Sequence, residues 1–321
     1  MPNKINKKTK LLKLLKKNDF FSIEKISKSL IISPTETLKQ IRSLRKLGYD
    51  IDFVKKKGYH LISKQDIIIP EEIKDDLNTD VIGKDIFYFK SISSTNIYAK
   101  NIAEKSFKEG IVVIADIQTH GRGRKNRLWL SPSGGLWFSV ILRPKIIPEK
   151  SMLLTMAASI AVAQAIKKTT GLNPVIKWPN DILINKKKVC GILTEFVFKK
   201  NFLDYAVVGI GINVNNKIDK KIKKVATSLS LEVGLNILRV KFLKTILKYF
   251  DEYYKKLNMS DFKTIKKLWF YYNKSIGKKV KIEDDGKILY GVISDIDDYG
   301  FIILKTKGGI YKICSGDLSY L

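Results

Sequence analysis

An α+β protein in three parts is predicted by three features of this 321-residue chain. Residues 1–65 carry apolar positions at helical spacing, residues 83–272 alternate strand-like with helix-like pieces, and the tail from Gly277 alternates apolar and polar residues between Asp-Gly and Gly-Gly turns. With 45% of its residues hydrophobic, the chain can fill a sizeable core. No run of 18 apolar residues suggests a membrane span. The opening MPNKINKKTKLLKLLKKND alternates lysine with leucine where a secretory leader would have an apolar block, so a cytoplasmic address and no membrane partner are expected. Cys190, Cys314 and two histidines are too few for a disulfide framework or a clustered metal site, so reduced thiols and no protein-held metal are expected.

The front segment reads as helix, helix-turn-helix, hairpin. Residues 9–16 predict a first helix with Leu11, Leu12, Leu14 and Leu15 on its inner face. Ser22 is a candidate N-cap for a second, with Ile23, Ile26 and Leu30 inward and Lys25 and Lys28 outward. Ile31-Ile32 supplies a tight turn, and Ser33-Pro34 opens a third helix whose inner stripe is Leu38, Ile41, Leu44 and Leu47. Thr35, Lys39, Arg42 and Lys46 are left outside, and Gly48 stops the helix. DIDFVKKKGYHLI then alternates like a hairpin tipped by Lys55, Lys56, Lys57 and Gly58. That order is the order of a winged helix-turn-helix.

Charge gives this segment a partner. Residues 1–65 hold 17 Lys and Arg against 5 Asp and Glu, a net +12 out of +29 for the whole chain. Such density is the footprint of a polyanion binder, so Thr35, Lys39, Arg42, Lys46, Lys55, Lys56 and Lys57 are candidate DNA-contacting residues. A basic protein-interaction domain with a solvated stripe is the competing reading.

Residues 63–77 are polar, contain Pro70 and Glu71-Glu72, and read as a linker. Beyond them several strands are joined by short turns with two substantial helices between, which favours a mixed sheet with helices on one face over a doubly wound sheet. Within this part THGRGRKNRLWLSPSGGLW stands out. Gly121 and Gly123 would let the backbone take positive φ, so that successive amides form a concave anion nest. Arg122, Arg124 and Arg127 add forked donors suited to carboxylate or phosphate. A flexible loop touching nucleic acid would look the same, and the GK[ST] ending of a phosphate-binding Walker loop is missing. A second element, IKWPNDILI, ends an apolar run on Lys177 beside Ile176 and Trp178, which favours an enclosed lysine over a snorkelling one.

Together with SSTN at 93–96 and GIGINVN at 209–215, these residues resemble the biotin protein ligases, and the basic front resembles that of the bifunctional ligase-repressors of the biotin operon. The pairing of GRGR-x-x-R-x-W with KWPND carries the resemblance, which extends over nearly the whole chain. It implies a winged helix-turn-helix DNA-binding domain at 1–65, a linker at 66–82, a biotin- and ATP-binding catalytic domain at 83–272 and a small SH3-like barrel at 273–321. It also implies activation of biotin by ATP, with Mg2+ accompanying the nucleotide, to biotinyl-5′-adenylate. The biotinyl group would then pass to a lysine of a biotin carboxyl carrier domain, while the adenylate-bound homodimer would occupy operator DNA with the adenylate as corepressor.

By the same resemblance Ser94, Thr95, Asn96 and Gln118 would hold the ureido end of biotin. Gly121, Arg122, Gly123 and Arg124 would close over carboxylate and phosphate, and Lys177 would sit between the biotin carboxylate and the α-phosphate. Arg124, Arg127, Trp129 and Asn213 would hold the nucleotide, with Lys177 and Arg124 as the catalytic pair. Many family members have glycine where this chain has Asn126, and asparagine is the next most tolerant residue of left-handed φ. Leu130 offers no side-chain hydrogen bond to a purine, which leaves more of that task to Asn213. Two alternatives stay open: a ligase whose front domain is no specific repressor, and a biotin-sensing DNA-binding protein without transferase activity.

Overall fold

The computed structural model describes residues 7–17, 19–62, 66–200, 202–284 and 286–321. It divides into two compact units, Met1–Leu77 with Leu238–Val240, and Asn78–Ile237 with Lys241–Leu321.

In the first unit α1 (Lys7–Leu15) buries Leu11, Leu12 and Leu15. The Ser22 hydroxyl caps α2 (Ile23–Leu30) by accepting from Lys25 N, and Ile31 ends it in the left-handed region at φ 56°. Ser33 caps α3 (Pro34–Lys46) in the same way, accepting from Glu36 N at 3.2 Å. Ile26, Leu30, Ile41 and Leu44 meet in the core. Leu47, expected in the inner stripe, lies past the last helical turn and is exposed, while Thr37 is buried with its hydroxyl 2.9 Å from that of Ser27. The antiparallel pair β1 (Ile51–Val54) and β2 (Gly58–Leu61) forms the hairpin. Gly58 is required beside its turn, where it pairs with Val54: φ is +106°, and a Cβ there would stand 2.4 Å from Phe21 O. Phe21 and Tyr59 exchange backbone hydrogen bonds at 2.9 Å, closing the hairpin on the helices. Thr35, Lys39, Arg42, Lys46, Lys55, Lys56 and Lys57 are all exposed.

The stretch expected to run as a loose linker is structured over residues 66–77. Ile68, Ile69 and Ile73 are buried around α4 (Pro70–Lys74). Glu72 accepts from Tyr49 at 2.6 Å and pairs with Lys16 at 2.5 Å. The run Ile67-Ile68-Ile69, with Ile73 one helical turn on, supplies the apolar surface that a linker would lack.

The second unit is built on a seven-stranded sheet. Its elements are β3 (Ile86–Ile92), α5 (Thr95–Lys105), β4 (Ile111–Gln118), β5 (Leu136–Leu142), α6 (Met152–Thr170), β6 (Val175–Lys177), β7 (Asp181–Ile184), β8 (Lys187–Lys199) and β9 (Phe202–Ile212), followed by α7 (Leu229–Val233), α8 (Arg239–Asn258) and α9 (Phe262–Tyr272). The strand order is β3-β4-β5-β9-β8-β7-β6; β3 and β4 are parallel and all other pairs antiparallel. The mixed α+β sheet is as expected, but its helices occupy both faces. Ala99 and Ala103 of α5 pack with Val113, Ile141 and Val207, whereas Thr155 of α6 bonds Thr194, the partner of Val208, at 2.8 Å. Val207 and Val208 are neighbours on one strand and point to opposite faces. The unbroken burial of β5 and of the first five residues of β4 is the signature of a sheet covered on both sides. Asp251 of α8, 3% exposed, accepts the backbone amides of Asp80, Val81 and Ile82 at 2.9, 2.8 and 2.8 Å.

The tail forms β10 (Lys279–Asp284), β11 (Lys287–Ile296), β12 (Ile302–Thr306), β13 (Gly309–Ile313) and β14 (Asp317–Tyr320), an antiparallel sheet ordered β13-β12-β11-β10-β14 and compatible with the small barrel expected there. Gly286 (φ +81°) precedes β11 and Gly309 (φ +126°) opens β13, both at positive φ; Asp285 lies outside the described residues.

Candidate active site

The sheet register sets out the floor of a cavity of about 1390 Å³. Lys177 stands opposite Asp181, Asp181 opposite Gly191, Gly191 opposite Gly211, and Gly211 opposite Trp137. Residues directly opposite in a ladder share a face, so this is one row crossing five strands. Its two glycines are a trough for the Trp129 indole. A Cβ on Gly191 would stand 2.9 Å from Trp129, and one on Gly211 2.4 Å from Trp129 Nε1. That indole N–H is buried and, among the described residues, has no hydrogen-bond partner. A buried donor left unmatched costs about 1–3 kcal/mol, a cost that an incoming acceptor would remove.

One end of the cavity is a hydrogen-bonded polar cluster at the start of α5. Thr95 donates through its amide and hydroxyl to Gln118 Oε1 at 2.8 and 3.0 Å, and Gln118 Nε2 donates to Ser131 Oγ at 2.9 Å. Ser139 Oγ lies 2.7 Å from Thr95 Oγ1 and 2.6 Å from Asn96 Oδ1. Asn96 also donates to Glu195 at 2.8 Å and to Leu193 O at 3.3 Å, so it is held by protein on both sides of its amide. Ser94 is the N-cap of α5 but makes no capping bond through its side chain.

The glycine-arginine loop departs from the expected nest. Gly121 and Gly123 do not take positive φ; the left-handed residues are Lys125 (φ 52°) and Asn126 (φ 56°), in a short 3-10 turn at 124–126. The Gly123 amide donates to Arg127 O at 2.8 Å and closes the loop on itself. Gly121 is needed for close approach instead, since a Cβ there would be 2.4 Å from Trp129 O. Asn126 is thus the residue type that the turn tolerates best after glycine.

The loop's cations meet the last strand. Arg124 donates to Gly316 O at 3.1 Å, and Arg127 donates to both oxygens of Asp317, at 3.3 Å to Oδ1 and closely to Oδ2. Lys125 lies 3.7 Å from the same carboxylate. Burial would raise the Asp317 carboxyl, but the hydrogen bond and charge of Arg127, with Lys125 and Arg124, hold it below the ordinary range. Burial pulls Arg124 below the usual guanidinium value, opposed by Asp317, Asp181 and Asp284. It remains a cation at neutral pH. Lys177 Nζ lies 6.0 Å from the Tyr320 ring, and Asn213, 6% exposed, accepts from Asn216 at 3.1 Å. Among the described residues no three His, Cys, Asp or Glu side chains stand together as a metal site.

Residues 88–213 match the Biotin/lipoate A/B protein ligase family, residues 275–320 the Biotin protein ligase C terminal domain, and residues 7–60 an HTH domain. The bifunctional ligase/repressor BirA of Bacillus subtilis is 42% identical over 305 residues, covering 94% of each chain. The chain belongs to the biotin protein ligase family. The bifunctional ligase/repressor BirA of Escherichia coli is 28% identical over 97% of this chain and 96% of its own. Among solved structures, the biotin protein ligase from Aquifex aeolicus in complex with biotin and ATP is similar at a TM-score of 0.64 and 33% identity, over 74% of this chain and 99% of that one.

Of the residues that the family resemblance singled out, Ser94, Thr95, Asn96, Gln118, Arg122, Gly123, Arg124, Arg127, Trp129, Lys177 and Asn213 all line the one cavity, and Gly121 is buried behind its loop. Sequence reasoning missed Ser131 and Ser139, which orient Gln118 and Thr95, and the carboxylates Asp181 and Asp317, which face the cations Lys188 and Arg127. Asp181 lies within the motif already quoted, and its place opposite Lys177 was the available signal. Asp317 is 190 positions from Arg127, and nothing local marks it.

Proposed function

We propose that this family member is an ATP-dependent biotin protein ligase and a biotin-responsive repressor. The observation that carries the ligase half is the convergence, on one cavity, of a polar cluster around Thr95 and Gln118, an apolar trough under Trp129, and the cations Lys177 and Arg124. The polar cluster suits the ureido ring of biotin, the indole seated in the trough suits the adenine of the nucleotide, and the cations suit the carboxylate and phosphate oxygens.

In the first step the biotin carboxylate attacks the α-phosphorus of ATP, forming biotinyl-5′-adenylate and releasing pyrophosphate. Both reactants are anions that repel. Lys177, between carboxylate and α-phosphate, and Arg124, over the same atoms, neutralise the charge that grows on the phosphoryl oxygens. Arg127, Trp129 and Asn213 hold the nucleotide, and Mg2+ enters with it as its counterion. In the second step a carrier-domain lysine attacks the acyl carbonyl, forming the amide and expelling AMP. The nucleophile comes from the partner, so the ligase needs no Ser-His or Cys-His pair.

The repressor half rests on the exposed cations of α3 and of the hairpin tip. One winged helix reads only a few base pairs, so an adenylate-bound homodimer on a two-fold symmetric operator is the working form. ATP and a carboxylase carrier as substrates put it in the cytoplasm. Pyrophosphate release from ATP tests the activation step directly. It should require biotin and proceed without any carrier; release that ignores biotin would overturn the reading.

A further inference from the structure

Strand β8 breaks its own alternation beside the site. The register with β7 runs Ile182 to Cys190 and then Leu183 to Lys188, so Val189 is an extra residue, a β-bulge. Gly191 faces the cavity beneath Trp129. Counting by twos from it, Lys188 would fall on the far face; the bulge turns it back to the cavity side, which it lines together with Leu183. Its Nζ there lies 2.7 Å from Asp181 Oδ1 and 5.0 Å from the centroid of the Trp129 ring. Asp181 stands directly opposite Lys177. At that distance Asp181 Oδ1 is the charged partner of the Lys188 ammonium. An ammonium carries three N–H donors, so one that faces Asp181 still has donors to offer a second acceptor.

We propose that Lys188 is a nucleotide-binding residue of the ligase, donating to phosphate oxygens of the triphosphate, with Asp181 holding its ammonium beside Trp129 until the nucleotide arrives. The proposal rests on the ligase reading of the cavity. Bulges next to sites re-aim single side chains, and here the side chain re-aimed is a cation entering a cavity that already gathers Lys177 and Arg124. Packing of its methylene stem on the indole would survive replacement by methionine, whereas the ammonium, 5.0 Å from the ring centroid, is the part that methionine removes.

Two measurements test this. In Lys188→Met the KM for ATP in biotin-dependent pyrophosphate release should rise about tenfold to a hundredfold, the effect of losing one charge-assisted hydrogen bond, while biotin affinity measured without nucleotide stays within about twofold. An unchanged KM and kcat for ATP, or an equal loss of biotin affinity, would overturn the proposal in favour of a packing role. The second measurement needs no variant. With biotin present throughout, the wild-type protein is acylated with an amine-reactive ester in the presence and absence of a non-hydrolysable ATP analogue, and modification of each lysine is read by peptide mass spectrometry. The analogue should protect Lys188. Protection of Lys177 without Lys188 would refute the proposal and leave the ligase reading standing; protection of neither would count against both.

Discussion

The Arg127 guanidinium donates to both carboxylate oxygens of Asp317, fastening the loop of the site's arginines to the last strand of the chain. The tail sheet therefore takes part in shaping the site. Asp317→Asn should weaken this attachment without unfolding the protein, because both partners are partly exposed. Faster amide hydrogen exchange across residues 121–128, with unchanged exchange in β4 and β5, is the expected result.

The same pair sets a pH dependence. The Asp317 carboxyl is depressed in the folded protein, so its contribution is fully present above the ordinary carboxylate pKa of about 3.9 and is lost only as pH falls through the lower folded value. Loop protection should therefore hold steady from neutral pH to about pH 5 and fall in stronger acid. Exchange measured across that range checks the sign; loss of protection between pH 6 and 8 would contradict it.

Lys177→Ala should slow pyrophosphate release about 100- to 1,000-fold while changing biotin affinity far less, since the charge it meets is greatest in the transition state. Lys177→Arg should restore only part of the rate, because a planar guanidinium misfits a site for a compact charge. Steady-state kinetics alongside calorimetric biotin titration separate the two effects.

Asp251→Ala should destabilise the second unit by about 2–4 kcal/mol, because three backbone amides lose their acceptor in a buried place. Urea unfolding should show an earlier midpoint with an unchanged slope.

Lys39→Ala and Arg42→Ala should each lower operator affinity about tenfold, and affinity should fall steeply with salt for wild type and less steeply for the variants. Equal binding to operator and scrambled duplex, with adenylate present, would remove the repressor function and leave the ligase.

The parts legible in the sequence were those written in local chemistry. Ser22 and Ser33 announced their helices, Gly58 its hairpin, and the motifs around Arg124 and Lys177 are each contiguous. What escaped depends on distant partners or on small register shifts. Helices on both faces of the sheet could have been suspected from the apolar runs of β4 and β5, but not assigned without knowing which strands they cross. The bulge at Val189 moves Lys188 between faces by one residue, a shift invisible in KKKVCG. The loop glycines misled because their value lies in the absent Cβ of Gly121 against Trp129 O and not in φ.

The most direct test of the central claim is the intact mass of a biotin carboxyl carrier domain after incubation with this protein, ATP, Mg2+ and biotin. One biotinyl group per carrier, on a single lysine and only with ATP present, is the expected result. An unmodified carrier, under conditions in which a known biotin protein ligase labels it, would contradict the account.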